Sequence, residues 1–136
     1  MEKDMEYYIQ VSGRIMKDNL DKRKSLTQKI CDWYLDQDKE DICLIASGSS
    51  LNAAYAARPF LLKYSKFDIS VLSTVEYLDV YRERKKNRFT ILISQSGCST
   101  NIIEIMKELD KEHQPFVLLT GNENGRASRY TRSEER

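Results

Sequence analysis

Hydroxyl groups at the ends of apolar runs are the densest chemistry in this chain. Ser94-Gln95-Ser96-Gly97-Cys98-Ser99-Thr100-Asn101 directly follows the run Phe89–Ile93, and Ile102, Ile103, Met106 and Leu109 then recur at helical spacing. A β-branched apolar run predicts a buried strand, so the cluster occupies a strand-to-helix turn. Free backbone N–H groups and the helix dipole make such a turn a natural anion cradle. A second cluster, Ser47-Gly48-Ser49-Ser50, follows Ile42–Ala46 and opens another helical run through Leu51, Ala54, Ala57, Leu61 and Tyr64. Serine donates to phosphate oxygen without a charge that would attract any anion, and glycine lets the backbone approach closely. Either turn alone also reads as an ordinary serine-capped helix start. Two such turns on core strands of one small domain could clasp one small anion from two sides. Neither is a Walker loop, which needs Gly-Lys-Ser/Thr, nor a GxGxxG dinucleotide fingerprint.

The elements that must position these turns follow from the apolar pattern. Continuous runs at 42–46, 68–72, 89–93 and 115–119 lack alternation, as strands buried on both faces do, and they alternate with helical stretches. That order predicts an α/β fold: a three-layer αβα sandwich with a doubly wound parallel sheet, preceded by N-terminal helices. In such sheets ligands sit beyond the carboxyl ends of the strands. Residues 4–36 read as helical with a break near 21–25, and Val75–Tyr81 as a short helix. Pro59 should kink its helix or mark a boundary. The domain plan is a helical arm over 1–40, a binding domain over 41–124, and a polar, Arg-rich tail over 125–136, such as the end of a truncated reading frame.

Composition narrows the classes of partner. The 136 residues suffice for one core, and a formal net charge of +1 gives no general attraction to nucleic acid or membrane. The longest apolar runs fall far short of the roughly 20 residues of a spanning helix, and the polar N-terminus lacks the apolar core of a signal peptide. Cys31, Cys43 and Cys98 form no CxxC pair, which argues against a disulfide framework or a zinc site and for a cytoplasmic protein. No metal or cofactor is expected. Cys31 and Cys43 read as small core residues, the tyrosines at 7, 8, 34 and 64 as helix packing, and the basic run 82–88 as a solvated face. His113, the sole histidine, reads as a helix-end residue. Glu76 and Asp79 are candidate acid/base groups that nothing in the sequence brings together.

The paired motifs Ser47-Gly48-Ser49-Ser50-Leu51-Asn52-Ala53 and Ser94-Gln95-Ser96-Gly97-Cys98-Ser99 resemble the two signature turns of the sugar isomerase (SIS) domain family. Many members write them Gly/Cys-Gly-Thr/Ser-Ser-x-Asn-Ala and Ser-Gln-Ser-Gly-x-Thr/Ser. Leu118–Asn122 resembles the family's next strand end, so the resemblance spans roughly 41–124. It extends to the isomerase domains of glucosamine-fructose-6-phosphate aminotransferases and to ketosamine-phosphate deglycases. The resemblance implies that Ser50, Ser94, Gln95, Ser96 and Ser99 hold the phosphate of a sugar 6-phosphate or aminosugar phosphate. It places Gly48 and Ser49 along the sugar and implies a homodimer. Ser99 stands where threonine is commoner, and Cys98 where the synthases have glutamate. The family's enzymes complete catalysis with a glutamate, a histidine and often a lysine from a later segment or second half, which this reading does not find in the chain. The alternatives are a non-catalytic sugar-phosphate sensor and a structural domain whose serines only cap helices.

Overall fold

The computed structural model describes residues 3–39, 41–84 and 88–130. It divides into two units, Met1–Gln37 and Asp38–Arg136. The first holds helices α1 (Met5–Asp21) and α2 (Arg23–Leu35). Asp4 caps α1 by accepting from the Tyr7 N–H at 2.9 Å, and the break falls at Lys22, inside the range the sequence suggested. Neither helix buries a side chain. Met5, Ile9, Met16 and Leu20 are all exposed along α1, and Cys31 is exposed rather than part of a core.

The second unit contains β1 (Asp41–Ala46), α3 (Gly48–Tyr64), β2 (Asp68–Ser73), a short helix α4 (Thr74–Glu76) continued by a π-helical turn (Tyr77–Tyr81), β3 (Arg88–Ser94), α5 (Thr100–Lys111), β4 (Phe116–Thr120) and a 3-10 turn (Arg126–Tyr130). All strand pairs are parallel and the order is β2-β1-β3-β4. The chain therefore moves one way from β1 to β2 and the other way from β3 to β4. Right-handed crossovers that run in opposite directions must lie on opposite faces. Accordingly α3 packs with Leu44, Ile69 and Val71 on one face, while Ile102, Ile103, Met106 and Leu109 of α5 pack with Cys43, Ile45 and Leu92 on the other. The three-layer α/β sandwich expected from the sequence is the observed fold. Burial on both faces explains why the strands read as unbroken apolar runs.

Four local features differ from the sequence expectation. α3 runs through Pro59 without a break; the proline stands on an exposed stretch, and the carbonyl it leaves unpaired belongs to exposed Tyr55, where water can serve it. Tyr8 and Tyr64 are exposed, the latter against the Phe60 ring at 4.6 Å. The basic run is not uniformly solvated. Arg82 pairs with Glu108 at 3.1 Å, but Arg88 is buried and donates to the Arg84 carbonyl at 3.2 Å and the Cys43 Sγ at 3.5 Å; positions 85–87 lie outside the described residues. The expected tail forms the 3-10 turn Arg126–Tyr130 with Ala127 fully buried, because Gly125 and Ala127 pack onto the serine turn after β3; positions 131–136 lie outside the described residues. Among the described residues no helix is long and apolar enough to cross a membrane.

Tyr77 reports on the core beneath α4. Burial pushes its phenol up to about 12, against the opposing pull of Arg88. An unfolded tyrosine titrates near 10, so the stabilisation is intact below about pH 10 and is lost as pH rises toward about 12. The urea midpoint should fall across that window, and Tyr77→Phe should flatten the fall. Equal slopes for the two proteins would contradict this burial.

Candidate functional site: the serine turns at the strand-order reversal

The point where the chain reverses direction across the sheet lies between β1 and β3, which are neighbours. Helices leaving adjacent strands on opposite faces open a crevice there, the usual ligand position in open α/β sheets. Both serine clusters flank it: Ser47–Ser50 leaves β1 and Ser94–Ser99 leaves β3. Ile45 lies level with Leu92 in the parallel ladder, so extending the register sets Ser47 opposite Ser94, one strand spacing of about 4.8 Å away.

The helix starts bear directly on whether these serines are only caps. Ser47 and Ser99 occupy the N-cap positions of α3 and α5, yet neither side chain makes a capping hydrogen bond. Asp4 and Ser73, by contrast, do cap their helices. The first-turn amides at Gly48, Ser49 and Ser50, and at Thr100 and Asn101, therefore receive nothing from their own N-cap side chains. Such amides are obligatory donors awaiting an acceptor.

The β3 turn is shaped by its own hydroxyls. Ser94 is buried, and its Oγ accepts from the Gly97 N–H at 3.2 Å. Ser96 Oγ accepts from the Cys98 N–H at 3.2 Å. Each hydroxyl so used keeps its own proton as a donor. Gln95 is exposed, with its side-chain amide lying along Gly121. Ser50 is half-buried in the first turn of α3, while Gly48 and Ser49 are exposed. The fold thus brings Ser94, Gln95, Ser96 and Ser99 onto one turn and sets Gly48, Ser49 and Ser50 on the neighbouring one. No charged side chain occurs in 47–52 or 94–101, so these turns offer an anion only hydroxyls, amides and two helix dipoles.

Residues beyond the two motifs hold the β3 turn in place. The Gly121 N–H donates to the Gln95 carbonyl at 3.2 Å, the Ala127 N–H to the Gly97 carbonyl at 2.8 Å, and Asn122 Nδ2 to the Ser96 carbonyl at 3.1 Å. Asn101 Nδ2 donates to Thr74 Oγ1 at 3.3 Å, tying the start of α5 to the first residue of α4. Sequence reasoning named the strand end at 118–122 without giving Asn122 a role and took Gly125 and Ala127 for a tail. The Asn122-to-Gly125 turn residues were the available signal.

Of the candidate acid/base groups, Glu76 stands two residues past Thr74, the partner of Asn101 at the start of α5. Glu76 closes a capping box, its Oε2 accepting from the Ser73 N–H at 2.8 Å while its own N–H donates to Ser73 Oγ at 3.1 Å; Asp79 is exposed. His113 follows α5 with φ 56° and is exposed. The bonds from Gln114 N–H to the Leu109 carbonyl and from His113 N–H to the Asp110 carbonyl form a Schellman ending. That places His113 a full α5 length, about 18 Å, from the serine turn. Among the described residues no cluster of His, Cys, Asp or Glu could hold a metal ion.

The fold is that of the sugar isomerase (SIS) domain. Among solved structures, a protein from Clostridium difficile 630 assigned as a phosphosugar isomerase superposes with a TM-score of 0.75 at 16% identity, covering 91% of this chain and 34% of that one. The C-terminal domain of glucosamine-fructose-6-phosphate aminotransferase from Francisella tularensis gives a TM-score of 0.55 at 25% identity, covering 82% of this chain and 29% of that one. In sequence, the chain is 27% identical over 111 residues to the glutamine–fructose-6-phosphate aminotransferase (isomerizing) of Chlamydia caviae. That match takes in 80% of this chain and spans only 18% of the relative. No family model matches the chain.

The two glycines of the motifs separate conformational from packing demands. Gly48 has φ 59° with open space where a Cβ would stand, so Gly48→Ala should cost only the left-handed backbone penalty, about 1–2 kcal/mol. At Gly97, with φ 65°, a Cβ would lie 2.9 Å from the Asn122 carbonyl oxygen and 3.0 Å from Thr120 Oγ1. Gly97→Ala should therefore destabilise clearly more than Gly48→Ala in urea unfolding, and the reverse order would contradict the packing described.

Proposed function

We propose that this chain binds the phosphate of a sugar 6-phosphate or aminosugar 6-phosphate between the first turns of α3 and α5. The observation that carries the reading is the pair of serine N-caps that do not cap, set on adjacent strands where the sheet reverses direction. Ser50, Ser94, Gln95, Ser96 and Ser99 hold the phosphate, and Gly48 and Ser49 lie along the sugar. Hydroxyls that already accept from backbone amides point their remaining protons to phosphate oxygens. The names of the similar proteins, which refer to fructose 6-phosphate and phosphosugars, support this ligand class.

In an isomerase or deglycase setting, phosphate binding energy would hold an open-chain sugar in register while a proton moves at C1 or C2. A sensor role is the second reading, and one observation favours it. Among the described residues, the Glu76 carboxylate is engaged in a cap and His113 lies at the far end of α5, which favours binding over proton transfer by these two groups. A cytoplasmic homodimer completes the proposal, with the exposed apolar side chains Phe60 and Tyr64 of α3 available to a second copy.

Calorimetric titration with glucosamine 6-phosphate and fructose 6-phosphate tests both readings. Saturable binding is expected, and its absence for both ligands would overturn the proposal. Ser96→Ala should weaken affinity roughly tenfold to a hundredfold, the worth of one hydrogen bond to a charged group. Unchanged affinity would remove Ser96 from the site.

A further inference from the structure

We infer that Asn122 is a positioning residue for the phosphate cradle, selecting the one orientation of the Ser96–Gly97 peptide that builds it; this rests on the phosphosugar reading above. That peptide is held at both poles. Its carbonyl accepts from Asn122 Nδ2 at 3.1 Å, and its N–H donates to the Ser94 carbonyl and Ser94 Oγ, each at 3.2 Å. Turning the peptide over would break both ends and swing a carbonyl oxygen into the turn, where an anion is to be held.

Glycine does not choose between these orientations. Gly97 sits at φ 65°, and with no Cβ it populates positive and negative φ almost equally. Ser94 holds the N–H end from within the turn, and Asn122 holds the carbonyl end from outside it. Its own conformation is fixed independently of Ser96: the Asn122 N–H donates to Thr120 Oγ1 at 3.1 Å, and its Oδ1 accepts from the Asn124 N–H at 3.1 Å. The Asn124 contact also settles the amide's direction, since only the oxygen can accept there, which leaves the NH2 for the Ser96 carbonyl. A side chain locked from β4 thus reaches across to lock the turn after β3. The Ala127 N–H, bound to the next carbonyl at Gly97, works in the same sense. Once the Gly97 N–H is fixed on Ser94 and the Cys98 N–H on Ser96, each serine hydroxyl keeps its proton and one lone pair for other partners.

The test has a ligand-free and a ligand-bound arm. In ligand-free protein, Asn122→Ala should broaden or double the Gly97 and Cys98 amide resonances while amides in β4 and α5 keep their positions. Asn122→Asp keeps the size and the Asn124 bond but lacks the donor, and should do the same if Asn122→Ala fails to fold. Sharp, unmoved Gly97 and Cys98 resonances would overturn the inference. In the bound arm, affinity for glucosamine 6-phosphate and for inorganic phosphate should fall together, by about tenfold in Asn122→Ala. Equal affinity of variant and wild type would also overturn it. If the wild type binds neither ligand, the phosphosugar reading fails, and the ligand-free arm still decides the role of Asn122.

Discussion

The direction of the chain reverses between β1 and β3, and almost everything about the site depends on that reversal. Crossovers from parallel strands are right-handed, so a chain that turns left from one strand and right from its neighbour sends the two helices to opposite faces. α3 and α5 obey this, each packing its own face of the sheet. Their N-termini thus leave adjacent strands toward opposite faces, the position at which open α/β sheets take ligands. Two partial positive charges, with first-turn amides left uncapped by their own N-cap side chains, then stand on neighbouring strands. The serines furnish that position, and the topology creates it.

A cradle without charged side chains needs precise backbone placement, because each contact depends on direction. The β3 turn obtains it from a close backbone stack. A Cβ on Gly125 would stand 2.6 Å from the Gly97 carbonyl oxygen, so these two glycines are in direct contact and the segment after β4 presses on the turn. Burial of Ala127 on the core side anchors that segment. The apolar face of α5 and the shape of the polar turn are in this way parts of one packing arrangement. Motion in the last 3-10 turn would reach the cradle through backbone contact alone.

Much of this was legible in the sequence, and the reason is burial. Strands covered on both faces read as unbroken apolar runs, so β1 and β3 and the turns after them could be placed from sequence to within a residue or two. The Lys22 break and the helix-end position of His113 followed from similar local signals. What escaped were contacts between residues distant in sequence. Asn122 and Gly125 look like turn residues because their partners, Ser96 and Gly97, lie more than a strand away. Arg88 looked solvated because its basic neighbours are polar, while its place at the head of β3 draws it under the α4 segment. Pro59 marks no boundary, and the carbonyl it strands belongs to Tyr55, an exposed residue.

The central claim is that two turns act on one ligand. Following backbone amide resonances during titration with glucosamine 6-phosphate tests it most directly. The account predicts that amides of Ser49 and Ser50 on α3, and of Ser99 and Thr100 on α5, shift together along one saturating curve with one dissociation constant. Shifts confined to a single turn, or none at either, would contradict it.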